Sequence, residues 1–222
     1  MNIRVRKSTS NFATVLLLLL SPLAIAQAPL PELHIEAIGG GTAFTVKNTA
    51  SQPLTAYFIE LVGYPGSSYV LIEDDIESPI PPGGQKRIPV GNMIPGAAPN
   101  YMKLQAAIFA DGSSIGSPEK VTQIIERRRL MLQTTRDAIQ RLEKAKAGST
   151  AKDALIANFK QWSDSIPVPI HKYRFRPKEL NQTDTKALIT NIATKLESQP
   201  IDDVLAGLQA SEHAMAASRP AL

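Results

Sequence analysis

The chain has 222 residues, room for one or two domains, and no cysteine, so no disulfide, no thiol nucleophile and no lipid-bearing cysteine enters its chemistry. Its formal charge of +4 is unevenly placed. Residues 1–26 carry three cations, residues 27–117 hold 4 Lys/Arg against 8 Asp/Glu, and residues 118–222 hold 17 against 12.

Residues 1–26 read as a secretory signal peptide. Arg4, Arg6 and Lys7 form a positive start, Val15 to Leu20 and Leu23 to Ala26 an apolar core, and Ala24-Ile25-Ala26 a small-x-small cut site ahead of Gln27. The apolar stretch is shorter than the ~20 residues of a bilayer span. The expected product is exported, periplasmic or extracellular, is no lipoprotein because no Cys stands at the cut, and has no transmembrane span after removal of the leader. About 196 residues then bury enough surface to fold without staples.

Residues 27–117 carry short apolar runs punctuated by Gly, Pro, Asn and Asp, the pattern of an all-β module. Leu33 to Ile38 alternates, with Leu33, Ile35 and Ala37 on one face and His34 and Glu36 on the other. Gly39-Gly40-Gly41 turns the chain into Thr42 to Asn48, which places Phe44 and Val46 together. Leu54 to Val62 is apolar on both faces, as a strand covered on both sides would be. Tyr69 to Glu73 and Gln85 to Val90 follow, then Lys103 to Ala110 with Leu104, Ile108 and Ala110 assigned to one face. A seventh strand, Ser113 to Gly116, pairs back across the favoured turn Asp111-Gly112.

From Ser117 the pattern becomes helical. Ser117 reads as a cap, Pro118 suits the first position, Glu119 complements the dipole, and no Gly or Pro occurs before Gly148. The stripe Val121, Ile124, Ile125, Met131, Leu132, Ala138, Ile139 and Leu142 predicts a helix over 118–147. Its sevenfold spacing (Ile125, Leu132, Ile139) permits a homodimeric coiled coil without requiring one. A second helix is expected from a capping box at Thr150 and Asp153 to Asp164, with Leu155, Ile156, Phe159 and Trp162 inward. Two more are expected at Asp184 to Glu197 and from Pro200 to Ala217. With no linker at Ser117, the long helix is expected to leave the sheet edge and dock on it.

The fold class read from this order is α+β: an N-terminal immunoglobulin-like antiparallel β-sandwich over 27–117 and about four helices over 118–222. The runs "FTVKNTASQPLTAYFIEL", "IPPGGQKRIPV" and "LQAAIFADGSSIG" carry a resemblance to immunoglobulin-like or fibronectin-III-like modules of exported bacterial proteins. The whole chain resembles uncharacterised exported bacterial proteins that join such a module to a helical tail. The resemblance implies an architecture and no activity.

Candidate chemistry is sparse. His34, His171 and His213 fall in three different elements, no Ser sits in a nucleophile elbow, and Gly39-Gly40-Gly41 lacks the Lys-Ser/Thr of a phosphate loop. No catalytic residue and no cofactor is expected. Glu73, Asp74, Asp75 and Glu77 form the one acidic cluster, read either as calcium ligands or as a solvated loop. "YPGSSY" (64–69) presents two aromatics, to a carbohydrate or hydrolytic substrate or to the core and its rim. In "HKYRFRPK" the cations Lys172, Arg174 and Arg176 alternate with His171, Tyr173 and Phe175. If extended, this segment grips an anionic surface, or lets its aromatics cover the helical core. Arg127, Arg128 and Arg129, with Arg136 and Arg141, are read as a second basic surface. For an exported chain the partners implied are a protein or an anionic cell-envelope component, and not nucleic acid.

Overall fold

The computed structural model describes residues 29–39, 41–64, 69–91, 100–167 and 177–221. The proposed leader, the 65–68 turn and residues 171–176 of the basic-aromatic segment lie outside the described residues. The chain is α+β, and its described residues form seven strands followed by four helices. The strands are β1 Glu32–Ile38, β2 Gly41–Lys47, β3 Leu54–Leu61, β4 Val70–Asp74, β5 Gln85–Gly91, β6 Met102–Phe109 and β7 Ser114–Gly116. They form two antiparallel sheets, ordered β1-β2-β5 and β4-β3-β6-β7.

Alternation places the inward residues of both sheets in one apolar layer. Phe44 and Val46 from β2 share it with Tyr57 and Ile59 from β3 and with Leu104, Ala107 and Phe109 from β6. Each of the larger aliphatic and phenylalanine side chains contributes about 1.5–3 kcal/mol by leaving water. Asn48, fully buried, ties two turns together: its Nδ2 donates to the carbonyls of Gln52 (2.8 Å) and Ile80 (2.9 Å), and its Oδ1 accepts from Ala50 N.

The four-stranded sheet is covered on its other face too. Ala56, Phe58, Ile72, Ala106 and Ile108 pack there against Ile124 of α1 (Pro118–Ala147), with Val121, Ile125 and Leu180 at the margin. The molecule is thus layered sheet, sheet, helix, and β3 is buried on both sides as its sequence predicts. The expectation that Leu104 and Ile108 share a face is corrected. The pairing of β3 with β6 slips at Gln105, so Leu104 faces the other sheet while Ile108 faces α1.

The passage from sheet to helix takes one residue. Gly116 has φ +97° and pairs with Ala106, Ser117 N donates to Gln105 O, and Pro118 opens α1. Ser117 precedes the helix with no side-chain capping bond, so its expected capping role is corrected. Next comes α2 (Lys152–Ser165), preceded by Ala151, so the expected Thr150 capping box is not formed. α3 (Pro177–Ser198) begins earlier than its apolar pattern implies, and α4 (Ile201–Ala217) follows a two-residue turn. Ala138 and Leu142 of α1, Leu155 and Phe159 of α2, Ile189 and Ile192 of α3, and Val204 and Leu205 of α4 make a second core. The single α1 stripe therefore serves two layers, its first third on the sheet and its last third among the helices. Among the described residues no helix is long and apolar enough to cross a membrane.

Candidate functional site

The arginine triplet does not make one surface. At about 100° per residue, neighbours on a helix point three ways. Arg127 turns to α3 and pairs with Asp184 at 2.8 Å. Arg129 is exposed. Arg128 lies in the register of Val121, Ile124 and Ile125, and is 0 % exposed. Its Nε and Nη2 donate to Asp74 Oδ2 (2.9 Å) and Oδ1 (2.6 Å), and its Nη1 donates to the carbonyl of Arg219 (2.9 Å). Strand, long helix and C-terminal tail meet at this one guanidinium. Arg136 pairs with Glu212 at 2.8 Å, and Arg141 lies 4.3 Å over the Trp162 ring.

The acidic run divides as well, because a strand sends alternate side chains to opposite faces. Asp74 faces the helices and holds Arg128. Glu73 and Asp75 face the other sheet and share Lys86 Nζ of β5, at 2.8 and 2.6 Å. Burial opposes the Lys86 charge, but the hydrogen bonds to Asp75 and Glu73 more than offset it, so its pKa lies above the ordinary lysine value. Tyr57 and Tyr69 stand near this cluster. Burial first, then Glu73, pushes the Tyr69 phenol up to about 12, and burial with Glu73 and Asp75 pushes Tyr57 further in the same direction. Glu77, beyond the strand, accepts a 2.6 Å hydrogen bond from Ser211 Oγ of α4. Among the described residues no three acidic or histidine side chains converge as a metal site would.

Of the other sequence candidates, Tyr64 and Tyr69 part company. Tyr64 packs on Tyr101 with centroids at 5.2 Å, while Tyr69 turns inward onto Phe44 at 6.1 Å. His34 and His213 are both exposed, on β1 and α4. Lys172, Tyr173, Arg174, Phe175 and Arg176 lie outside the described residues.

What the sequence does not announce is a groove of about 1040 Å³ between the β4–β5 loop and the helices. Its floor is Met131 and Thr135 of α1. One wall is α3, through Leu188, Asn191, Ile192 and Lys195, and the other is α4, from Val204 to Met215. Asp74 to Ser78 close the end nearest the sheet. The groove exists because α3 and α4 touch each other little: α4 rests on α1, and α3 rests mainly on α2. Apolar walls with a few polar groups at the rim suit a binding site, and two methionines make the walls adaptable. A second depression, of about 940 Å³, lies at the α1–α2 turn, where Asp137, Gln140, Arg141, Lys144 and Asn158 stand among alanines and Leu155. Comparison with protein-family models, curated proteins and solved structures finds no match to this chain.

Proposed function

We propose that this chain is an exported, non-catalytic binding protein, in which an immunoglobulin-like sandwich supports a helical layer that takes a protein or envelope partner. The leader sends it to the periplasm or beyond, and the missing cysteine leaves it unlipidated. The observation that carries the reading is the groove, because its apolar walls and polar rim form a recognition surface held between rigid elements. The dispersal of acidic, histidine and arginine side chains among the described residues supports recognition over chemistry. The sevenfold stripe of α1 supports a single-chain reading, because Leu132 is buried and Ile125 and Ile139 already pack within the chain.

The test is binding of the leaderless chain, residues 27–222, to isolated envelope fractions. Saturable binding that falls at least tenfold with Gly207→Arg, at the exposed rim, is expected; no saturable binding refutes the reading. Binding that survives Gly207→Arg but falls with Lys172→Ala, Arg174→Ala and Arg176→Ala moves the site to the basic segment and an anionic component.

A further inference from the structure

We infer that the groove seats one amphipathic α-helix of a partner protein, its N-terminal end at Glu77 and its C-terminal end at Lys195. This rests on the binding reading above and names the occupant. The first argument is shape. Two helices diverging over a third leave a trough along their axes, and a fourth helix fills such a trough in bundles and in helix-in-groove recognition. A volume of about 1040 Å³ holds roughly two turns of a helix about 10 Å across.

The second argument is the α4 wall. Gly207, Ala210, Ser211 and Ala214 line it at three- and four-residue spacing. These are the shortest side chains available, and the separation of packed helices is set by the side chains between them. A helical partner can therefore approach closely. Gly207 has open space where a Cβ would stand.

The third argument is charge. Asp74, Asp75 and Arg127 are each neutralised by an ion pair within the chain. Glu77 and Lys195 have no opposite charge within salt-bridge distance among the described residues. Glu77 sits beside Ser211 of α4, while Lys195 lines the same groove from the last turn of α3. A helix carries roughly half a positive charge at its N-terminus and half a negative charge at its C-terminus. One negative rim group on the β4–β5 loop and one positive rim group on the last turn of α3 match that dipole. A single acyl chain would use the apolar walls but only one of the two charges, and it would leave the exposed α4 rim bare.

The test uses a displayed library of helical peptides, three to four turns long and apolar at i, i+3, i+4 and i+7, selected on the leaderless chain. Enriched peptides are expected to lose at least tenfold in affinity to Ala210→Arg, and several-fold to the double change Glu77→Lys with Lys195→Glu. All three positions are exposed, so thermal midpoints near that of the unsubstituted chain are expected, and Gly207→Arg serves where Ala210→Arg unfolds. Enriched peptides indifferent to every one of these changes overturn the inference. So does the absence of any enriched helix, whether or not oleate binds in the groove. Envelope binding by the unsubstituted chain with no enriched helix overturns the helix assignment and leaves the binding reading standing; loss of both overturns both.

Discussion

Replacing Arg128 with methionine is expected to destabilise the protein strongly. The methionine fills much of the arginine stem but supplies none of its donors. Asp74, whose side chain is 8 % exposed, then holds a carboxylate with neither solvent nor cation to stabilise it. Breaking a buried pair this way costs about 3–5 kcal/mol. Against a total stability of roughly 5–15 kcal/mol, that is a large share. In a chain of this size each kcal/mol moves the midpoint by about 2–4 °C, so the thermal transition should fall by roughly 6–20 °C. Urea denaturation of residues 27–222 measures the free energy directly.

The companion variant separates the pair from the packing. With Asp74→Leu added, no charge is left stranded, and most of the loss should return, because a buried ion pair replaced on both sides by apolar groups is often neutral. The pair should also respond little to salt, unlike the exposed Arg136–Glu212 contact. Arg128→Met within 1 kcal/mol of the parent protein, or no recovery on adding Asp74→Leu, would refute the reasoning.

Three further outcomes are expected. Ending the chain at Ala217 removes the Arg219 carbonyl and the Ser218 hydroxyl that face Arg128 Nη1; the unfolding free energy from urea titration should fall by about 1–3 kcal/mol. Gly116→Ala places a side chain at φ +97° against Gln105 and Ala106 of β6; equilibrium unfolding should show a loss of ~2 kcal/mol or more, and an unchanged midpoint would mean the β6–β7 junction is built otherwise. The Tyr69 proton is held to about 12 in the folded chain but leaves near the ordinary 10.0 in the unfolded chain. Its contribution to stability is therefore complete below pH 10 and is lost as pH rises from 10 to 12. Tyr69→Phe should flatten the alkaline slope of stability, and phenolate absorbance should show a late-ionising tyrosine that the variant lacks.

The order of elements is legible in the sequence because local signals and packing agree there. Alternation marks β1 and β2, an apolar run marks β3, Asp111-Gly112 marks the last hairpin, and Pro118 and Gly148 bracket α1. The errors arise where a short-range rule meets a long-range constraint. The slip at Gln105 swaps the faces of β6, and nothing in "KLQAAIF" records it, since the partner strand sets the register. The first two turns of α3 are polar apart from Leu180, so periodicity is silent there, although Pro177 and Glu179 are an N-terminal signature. The charged residues teach a sharper lesson. "RRR" and "EDD" look like blocks, yet a helix spreads its neighbours around an axis and a strand alternates them across a plane. Arg128 stands four residues after Ile124 and seven after Val121, so its place in the apolar stripe is legible once the stripe is drawn. That Asp74 is its partner is not, because 54 residues separate the two.

The same contacts that join sheet to helix also build the groove, and this decides where it can be perturbed. Asp74 lies at its closed end and Arg127 beside its floor, one residue from the buried guanidinium. Met131 follows Arg128 by three residues, so the rotation of α1 that seats Arg128 against β4 also turns Met131 into the groove floor. The C-terminal tail holds the end of α4 to the same arginine, while Glu77 and Ser211 hold that helix to the β4–β5 loop. Strength at this junction is therefore the condition for a gap between α3 and α4 that does not collapse onto its apolar walls. A single substitution at Arg128 or Asp74 is expected to loosen the closed end of the groove as it lowers the stability. The exposed rim at Lys195, Gly207 and Ala210, which takes no part in that junction, is where occupancy can be altered while the layers beneath stay joined.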